Sequence, residues 1–198
     1  MAKADPSQSK KERNRNIRWV ITVFLVTVMT TSLITLVSDE LMSKSGMITS
    51  FAILLIIVFV GIIFDVVGVA VTSADDSPFH SMAARKVPGA REALRLLRRA
   101  ERVSSICNDV VGDICGVVSG AASATIAAQI LQNFEFSWPR LISLVMSAVV
   151  SGLTVGGKAI GKSFAVNSST KIVHFAGRLI YAISHIGSIF GTKRKNKN

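Results

Sequence analysis

Four apolar runs set the pattern of this chain. Residues 17–37, "IRWVITVFLVTVMTTSLITLV", hold no charge after Arg18 and reach the roughly 20 residues that a helix needs to cross a bilayer. Residues 48–73 hold a single ionisable group, Asp65. The runs 103–131 and 138–161 follow, the last opening at Trp138 and Pro139, where a helix start tolerates proline. The pattern predicts four transmembrane helices within a domain spanning 17–161.

The intervals between and after these runs are polar in a different way. Residues 74–102 carry the breakers Pro78, Pro88 and Gly89, and then set Ala93, Leu94, Leu96 and Leu97 against Arg91, Arg95, Arg98, Arg99 and Arg102. A juxtamembrane helical segment over 79–102 with one apolar and one basic face is expected to lie in the membrane interface. Residues 162–191 alternate apolar positions with Lys162, Lys171, His174, Arg178 and His185, which predicts a second amphipathic interfacial helix. Residues 1–16 and 192–198 are basic and polar. The first is expected to be disordered in solution and drawn to an anionic leaflet, and the second to stay in water. The expected fold class is therefore an all-α integral membrane protein with four transmembrane helices and two amphipathic interfacial helices.

Composition agrees with this reading: of 198 residues, 49% are hydrophobic and 18% charged, with a mean hydropathy of +0.48. The net charge of +11 is gathered in the N-terminal segment, in 74–102 and in the C-terminal segment, while the alternate connections hold almost no lysine or arginine. By the positive-inside rule both termini are cytoplasmic, the membrane is the cell membrane, and the number of spans is even. The basic blocks match anionic headgroups of the lipid bilayer, and no motif interleaves them with aromatics as nucleic-acid binding would need. The first run is too long for a secretory signal and no A-x-A site follows it, so a retained anchor helix is expected. Cys107 and Cys115, about 12 Å apart on one helix, are too distant to pair and read as small hydrophobes.

Against this apolar background the intramembrane polar residues carry the candidate chemistry. Asp65, Asn108, Asp109, Asp113 and Lys158 all fall in the cytoplasmic half of their spans. A charge at such depth costs at least about 2.5–3.5 kcal/mol, so it should face the bundle interior, water or a partner. Asp109 and Asp113 stand four apart, on one helical face, and two adjacent buried anions repel. Three outcomes stay open. Lys158 and Lys162, also four apart, neutralise the pair and glue two spans together. Alternatively the acids bind a cation: Asp65, Asn108, Asp109, Asp113, Thr72 and Ser73 offer the hard oxygen ligands that Mg²⁺ accepts, with Lys158 and Lys162 as competing or gating charges. Or one acid is protonated in a proton path.

Small residues are patterned around these charges. Gly112, Gly116 and Gly120 form consecutive G-x-x-x-G steps, and Gly152 and Gly156 repeat the spacing, as do Gly157 and Gly161. Such seams predict close helix packing, within the chain or between two copies as a homodimer. His80, His174 and His185 are scattered, and H-E-x-x-H, G-x-S-x-G and P-loop patterns are absent, so no enzyme is expected.

Three stretches together call up a family. "FDVVGVAVTS" (64–73), "HSMAARKVPGAREALRLLRRAERVSSICNDVVGD" (80–113) and "VGGKAIGKSFA" (155–165) resemble, in order and spacing, the transmembrane domain of the CNNM/CorC magnesium transporters. The resemblance covers roughly residues 50–180. It implies three spans with a juxtamembrane belt, a dimer, and a magnesium site facing the cytosol with sodium implicated in coupling. The run 17–37 is then an N-terminal addition. Where the family reads F-S-x-S-E this chain reads Phe64, Asp65, Val66, Val67, Gly68, and where it reads G-E-x-x-P-K the chain reads Gly157, Lys158, Ala159, Ile160, Gly161, Lys162. The CBS pair of larger members is absent from this sequence. The expected function is binding or transport of divalent cations, magnesium first. The alternative is a non-transporting membrane scaffold or regulator whose Asp/Lys cluster is a salt-bridge network.

Overall fold

The computed structural model describes residues 6–133 and 138–192, with side chains over 17–133 and 138–185, and every regular element among them is a helix. Four stretches are long and apolar enough to cross a membrane: 17–43, 47–73, 100–133 and 139–167. They lie in α1 (Pro6–Ser43), in α2 (Met47–Ser73), in the series α5 (Ala100–Ser105), a π-helical segment (Ile106–Gly112) and α6 (Asp113–Asn133), and in α7 (Pro139–Asn167). These are the four expected runs; the first, third and fourth are carried past their apolar cores into polar flanking residues, and the second gains only Met47.

The ends depart from expectation in three places. First, α1 begins at Pro6, so residues 6–16 are helical rather than disordered. It also runs on through Asp39 and Glu40 to Ser43, where Lys44 pairs with Glu40 one turn back. Second, the segment 79–102 is not one helix but three: α3 (Ser77–Ala84), α4 (Ala90–Leu97) and α5. Lys86 and Gly89 both take positive φ, 56° and 84°, and Pro88 between them offers no backbone donor, so no helix can run through. Third, the expected C-terminal helix 162–191 is divided. Its first six residues continue α7, a break falls at Ser168 with φ −121°, and α8 (Ser169–Thr192) starts there. Residues 1–5 and the tail 193–198 lie outside the described residues.

Helix α2 is the hub, packed by α6 and α7 along its length and by the π segment, α5 and α8 near its C-terminal end. Two cores result. Ala70, Val71, Phe79, Ala93, Ala165 and Val173 close the end that carries the short helices. Met42, Leu54, Ala122, Ile126 and Val150 close the other. At that far end Gln129 Nε2 donates to the Met42 carbonyl at 2.8 Å, tying α6 to the last turn of α1. No residue in the apolar body of α1 is buried, though one face of it, with Val23, Thr27, Thr31 and Thr35, is partly covered by its neighbours. At the near end α8 meets α4 backbone to backbone, since a Cβ on Gly177 would stand 2.4 Å from the Gly89 carbonyl oxygen and 2.9 Å from the Ala93 nitrogen. Small residues at this crossing let the two backbones approach closely, which favours van der Waals packing.

Candidate functional site

Between the two cores lies one charged centre. Asp65 sits on the inner face of α2, eight residues or about 12 Å before its end. It is 3% exposed. Two ammonium groups from α7 approach it: Lys158 Nζ lies 3.8 Å from Oδ1 and Lys162 Nζ lies 3.6 Å from Oδ2. The lysines are four apart, so one face of α7 delivers both. Neither contact is as short as a charge-assisted hydrogen bond, which runs about 2.7–2.9 Å. Asp65 Oδ2 accepts no hydrogen bond at all. The centre holds one carboxylate against two ammonium groups.

The π segment forms the opposite wall. Gly112 is buried, and a Cβ there would lie 3.2 Å from Lys158 Nζ and 3.7 Å from Asp65 Oδ1, so the glycine lets the lysine end approach the helix backbone a few tenths of an ångström closer than a side chain would. One turn further along α2, Gly68 leaves room that the Asn108 amide fills, its Oδ1 2.2 Å from where a Cβ would stand. Asn108 Nδ2 donates to Ser104 Oγ at 3.1 Å, whereas the buried Oδ1 has no partner. A π segment is rare and recurs at functional sites because it breaks the regular hydrogen-bond ladder. Asp65 Oδ2 and Asn108 Oδ1 thus stand on facing helices without donors; Gln129 Oε1 and His174 Nε2 are the other buried side-chain polar atoms among the described residues that lack a partner.

The other expected ligands are elsewhere. Asp109 and Asp113 are exposed on the outside of the bundle, and Asp109 Oδ2 accepts a bond from Ser105 Oγ at 2.8 Å. The expectation that Lys158 and Lys162 neutralise this pair is therefore corrected: both lysines pair with Asp65, because the faces of the π segment and of α7 that meet α2 carry Gly112 and the lysines inward, while Asp109 and Asp113 are exposed. Thr72 and Ser73 are exposed, and Thr72 Oγ1 donates to the Val69 carbonyl of its own helix at 2.9 Å. Seven residues, about 10 Å along α2, separate Thr72 from Asp65. Among the described residues no three His, Cys, Asp or Glu side chains converge as a metal site would require. Cys107 and Cys115 are both free thiols, and Cys115 packs against Gly61.

The glycine seams divide as well. Gly61, Gly68, Gly112, Gly157 and Gly161 make the close approaches inside the bundle, the last two receiving Ile62 and Val66 of α2. A Cβ at Gly116, Gly120, Gly152 or Gly156 would meet nothing within 4 Å. These four are thus not needed for packing of the single chain. Gly120→Ala and Gly152→Ala are expected to leave the monomer fold intact or stabilise it by up to about 1 kcal/mol, since alanine is the better helix former. Thermal unfolding in detergent checks this. A clear loss of stability restricted to a dimeric fraction would place the seam between two copies.

Sequence reasoning put Asp65 and Lys158 at one depth but missed Gly68 and the contact it makes with Asn108. The signal available was a glycine inside an otherwise branched apolar run, which marks a close approach. No family model matches this chain, and no curated protein or solved structure is similar enough to count as a relative.

Proposed function

We propose that this protein binds and conducts a cation, a divalent one such as Mg²⁺ first, through the cytoplasmic half of the cell membrane, with both termini cytoplasmic. Asp65 is the anchoring ligand, and the ammonium groups of Lys158 and Lys162 are tethered cations that the ion displaces. The observation that carries this reading is the pair of buried oxygens without hydrogen bonds, Asp65 Oδ2 and Asn108 Oδ1, beside a π segment. Oxygen ligands of this kind suit a hard cation that keeps part of its water shell. The lysines stand at ion-pair rather than hydrogen-bond distance, which leaves them free to withdraw toward water, and Lys162 is already half exposed. The resemblance to CNNM/CorC transmembrane domains points the same way. At the position where that family carries the glutamate of F-S-x-S-E, Gly68 here receives Asn108.

A second reading is favoured by one observation: a single acid faces two lysines, with no further carboxylate in the centre. Such a triad serves as a structural salt-bridge network in a membrane scaffold. Magnesium flux in proteoliposomes with an entrapped indicator separates the two. Under the cation reading the parent conducts. The double variant Asp65→Asn with Lys158→Met, which removes one charge of each sign, keeps its fold and loses about tenfold or more of the flux, as loss of a charged ligand requires. Asp109→Asn and Asp113→Asn, on the outside of the bundle, conduct as the parent does. A parent that carries no ion, together with a well-folded double variant, would establish the scaffold instead.

A further inference from the structure

We infer that the junction of α2, α4, α5 and α8 is a binding site for one anionic phospholipid, with its acyl chain and its phosphate held in two cavities that join. The first cavity has a volume of about 540 Å³ and runs between α2, α7 and α8, with Phe64, Phe164, Phe175 and Leu179 among its walls. Its lining is apolar except for Cys107, Ser168 and Lys171. The second, about 470 Å³, is lined by Arg95, Arg98 and Arg99 together with Glu92. Leu96, Val103 and Ile180 line both, so one elongated molecule can occupy the two at once. Both volumes fall in the range of about 300–1,000 Å³ typical of ligand sites.

Charge complementarity selects the occupant. Three guanidinium groups border the second cavity, and the ion pair closest to it, Arg95 to Glu92, is long at 3.8 Å with Arg95 largely exposed. Asp75 and Asp76 line a separate cavity on the other side of Arg98 and offset part of its charge. Arg95 is offset only by its long pair to Glu92, and Arg99 forms no ion pair among the described residues. A planar guanidinium presents paired donors that match phosphate oxygens. An apolar chain slot ending at an arginine cluster fits a lipid with a net negative headgroup, and it does not fit a zwitterionic one equally well. A free phosphate leaves the first cavity empty. The proposal rests on the four helices being inserted in a membrane and does not rest on cation transport.

Native mass spectrometry of the detergent-solubilised full chain, offered equal amounts of dioleoylphosphatidylglycerol and dioleoylphosphatidylcholine, is the test. The expected result is retention of one phosphatidylglycerol in preference to phosphatidylcholine. The preference falls by about twenty-fivefold in the Arg95→Gln/Arg99→Gln variant, roughly fivefold for each basic residue removed. Both arginines are exposed, so this variant folds. Ala176→Trp, which fills the apolar slot, abolishes retention of either lipid while the basic cluster is untouched. Equal retention of the two lipids by the parent overturns the proposal, as does unchanged preference in the arginine variant. Binding of inorganic phosphate at the same affinity also overturns it, and so does a dimer that Ala176→Trp dissociates, which would make the slot an interface with a second copy. Release of the chain from membranes by alkaline carbonate refutes membrane insertion itself and is scored separately.

Discussion

Asp65→Asn is expected to destabilise the bundle by about 2–3 kcal/mol, the largest effect of any single substitution of a charged residue in this chain. Among the described residues the carboxylate is the only anion paired with Lys158 and Lys162, and its removal leaves the mostly buried Lys158 ammonium without a counter-charge and Lys162 without its partner. Breaking a buried ion pair from one side costs about 3–5 kcal/mol because the surviving charge keeps its desolvation penalty. The estimate is set lower because the lysine side chains are 21% and 54% exposed and so are partly relieved by water or headgroups. Unfolding in mixed micelles of rising sodium dodecyl sulfate reads the loss. Adding Lys158→Met to Asp65→Asn is expected to recover more than half of it, since the more buried cation then disappears with its anion. If the single variant is as stable as the parent, the charges are solvated and the centre is not a closed ion pair.

Gly89→Ala is expected to undock α8 from α4 at a cost of about 3 kcal/mol. Two penalties add. The φ of 84° belongs to the left-handed region, which costs a residue with a Cβ about 1 kcal/mol. The new Cβ would also stand 2.5 Å from the Arg178 nitrogen and 2.7 Å from its Cα, and backbone cannot step aside as the end of a side chain does. Overpacking of that kind costs about 1–3 kcal/mol. Amide exchange over 170–185 should accelerate by about two orders of magnitude, while α2 and α7 stay protected. Gly46→Ala, with nothing within 4 Å, is the control that changes neither. Undisturbed exchange in α8 would mean that the Gly89 and Gly177 contact does not hold the helix.

What was legible in the sequence follows from which signals are local. The four helices long and apolar enough to cross a membrane are legible because about 20 apolar residues in a row have few alternatives. The breaks near Pro78, Pro88 and Gly89 are legible too, but not their consequence, because Lys86 at positive φ has no sequence mark. Depth could be counted along each helix, which is why Asp65 and Lys158 were grouped. Rotation could not. Which face of the third span turns inward depends on the neighbours of α6 and on the π segment, so Asp109 and Asp113 were expected inside and stand outside. The glycine spacing failed for a related reason. G-x-x-x-G reports a smooth face, and seven of the described glycines use theirs against a neighbour while Gly116, Gly120, Gly152 and Gly156 leave theirs open.

The π segment has a consequence for how the third span is counted. Its buried positions fall five apart at Cys107 and Gly112, and then four apart at Ile114, Val118, Ala122 and Ile126. One surplus residue turns a helix by about 100° relative to an unbroken one. Without it, either Gly112 would swing away from Asp65 and Lys158, or the seam that α6 shows to α1 and α2 would rotate to the outside of the bundle. The segment is an odd residue that keeps two otherwise incommensurate repeats in step, and the ion pair of α2 and α7 sits at the join.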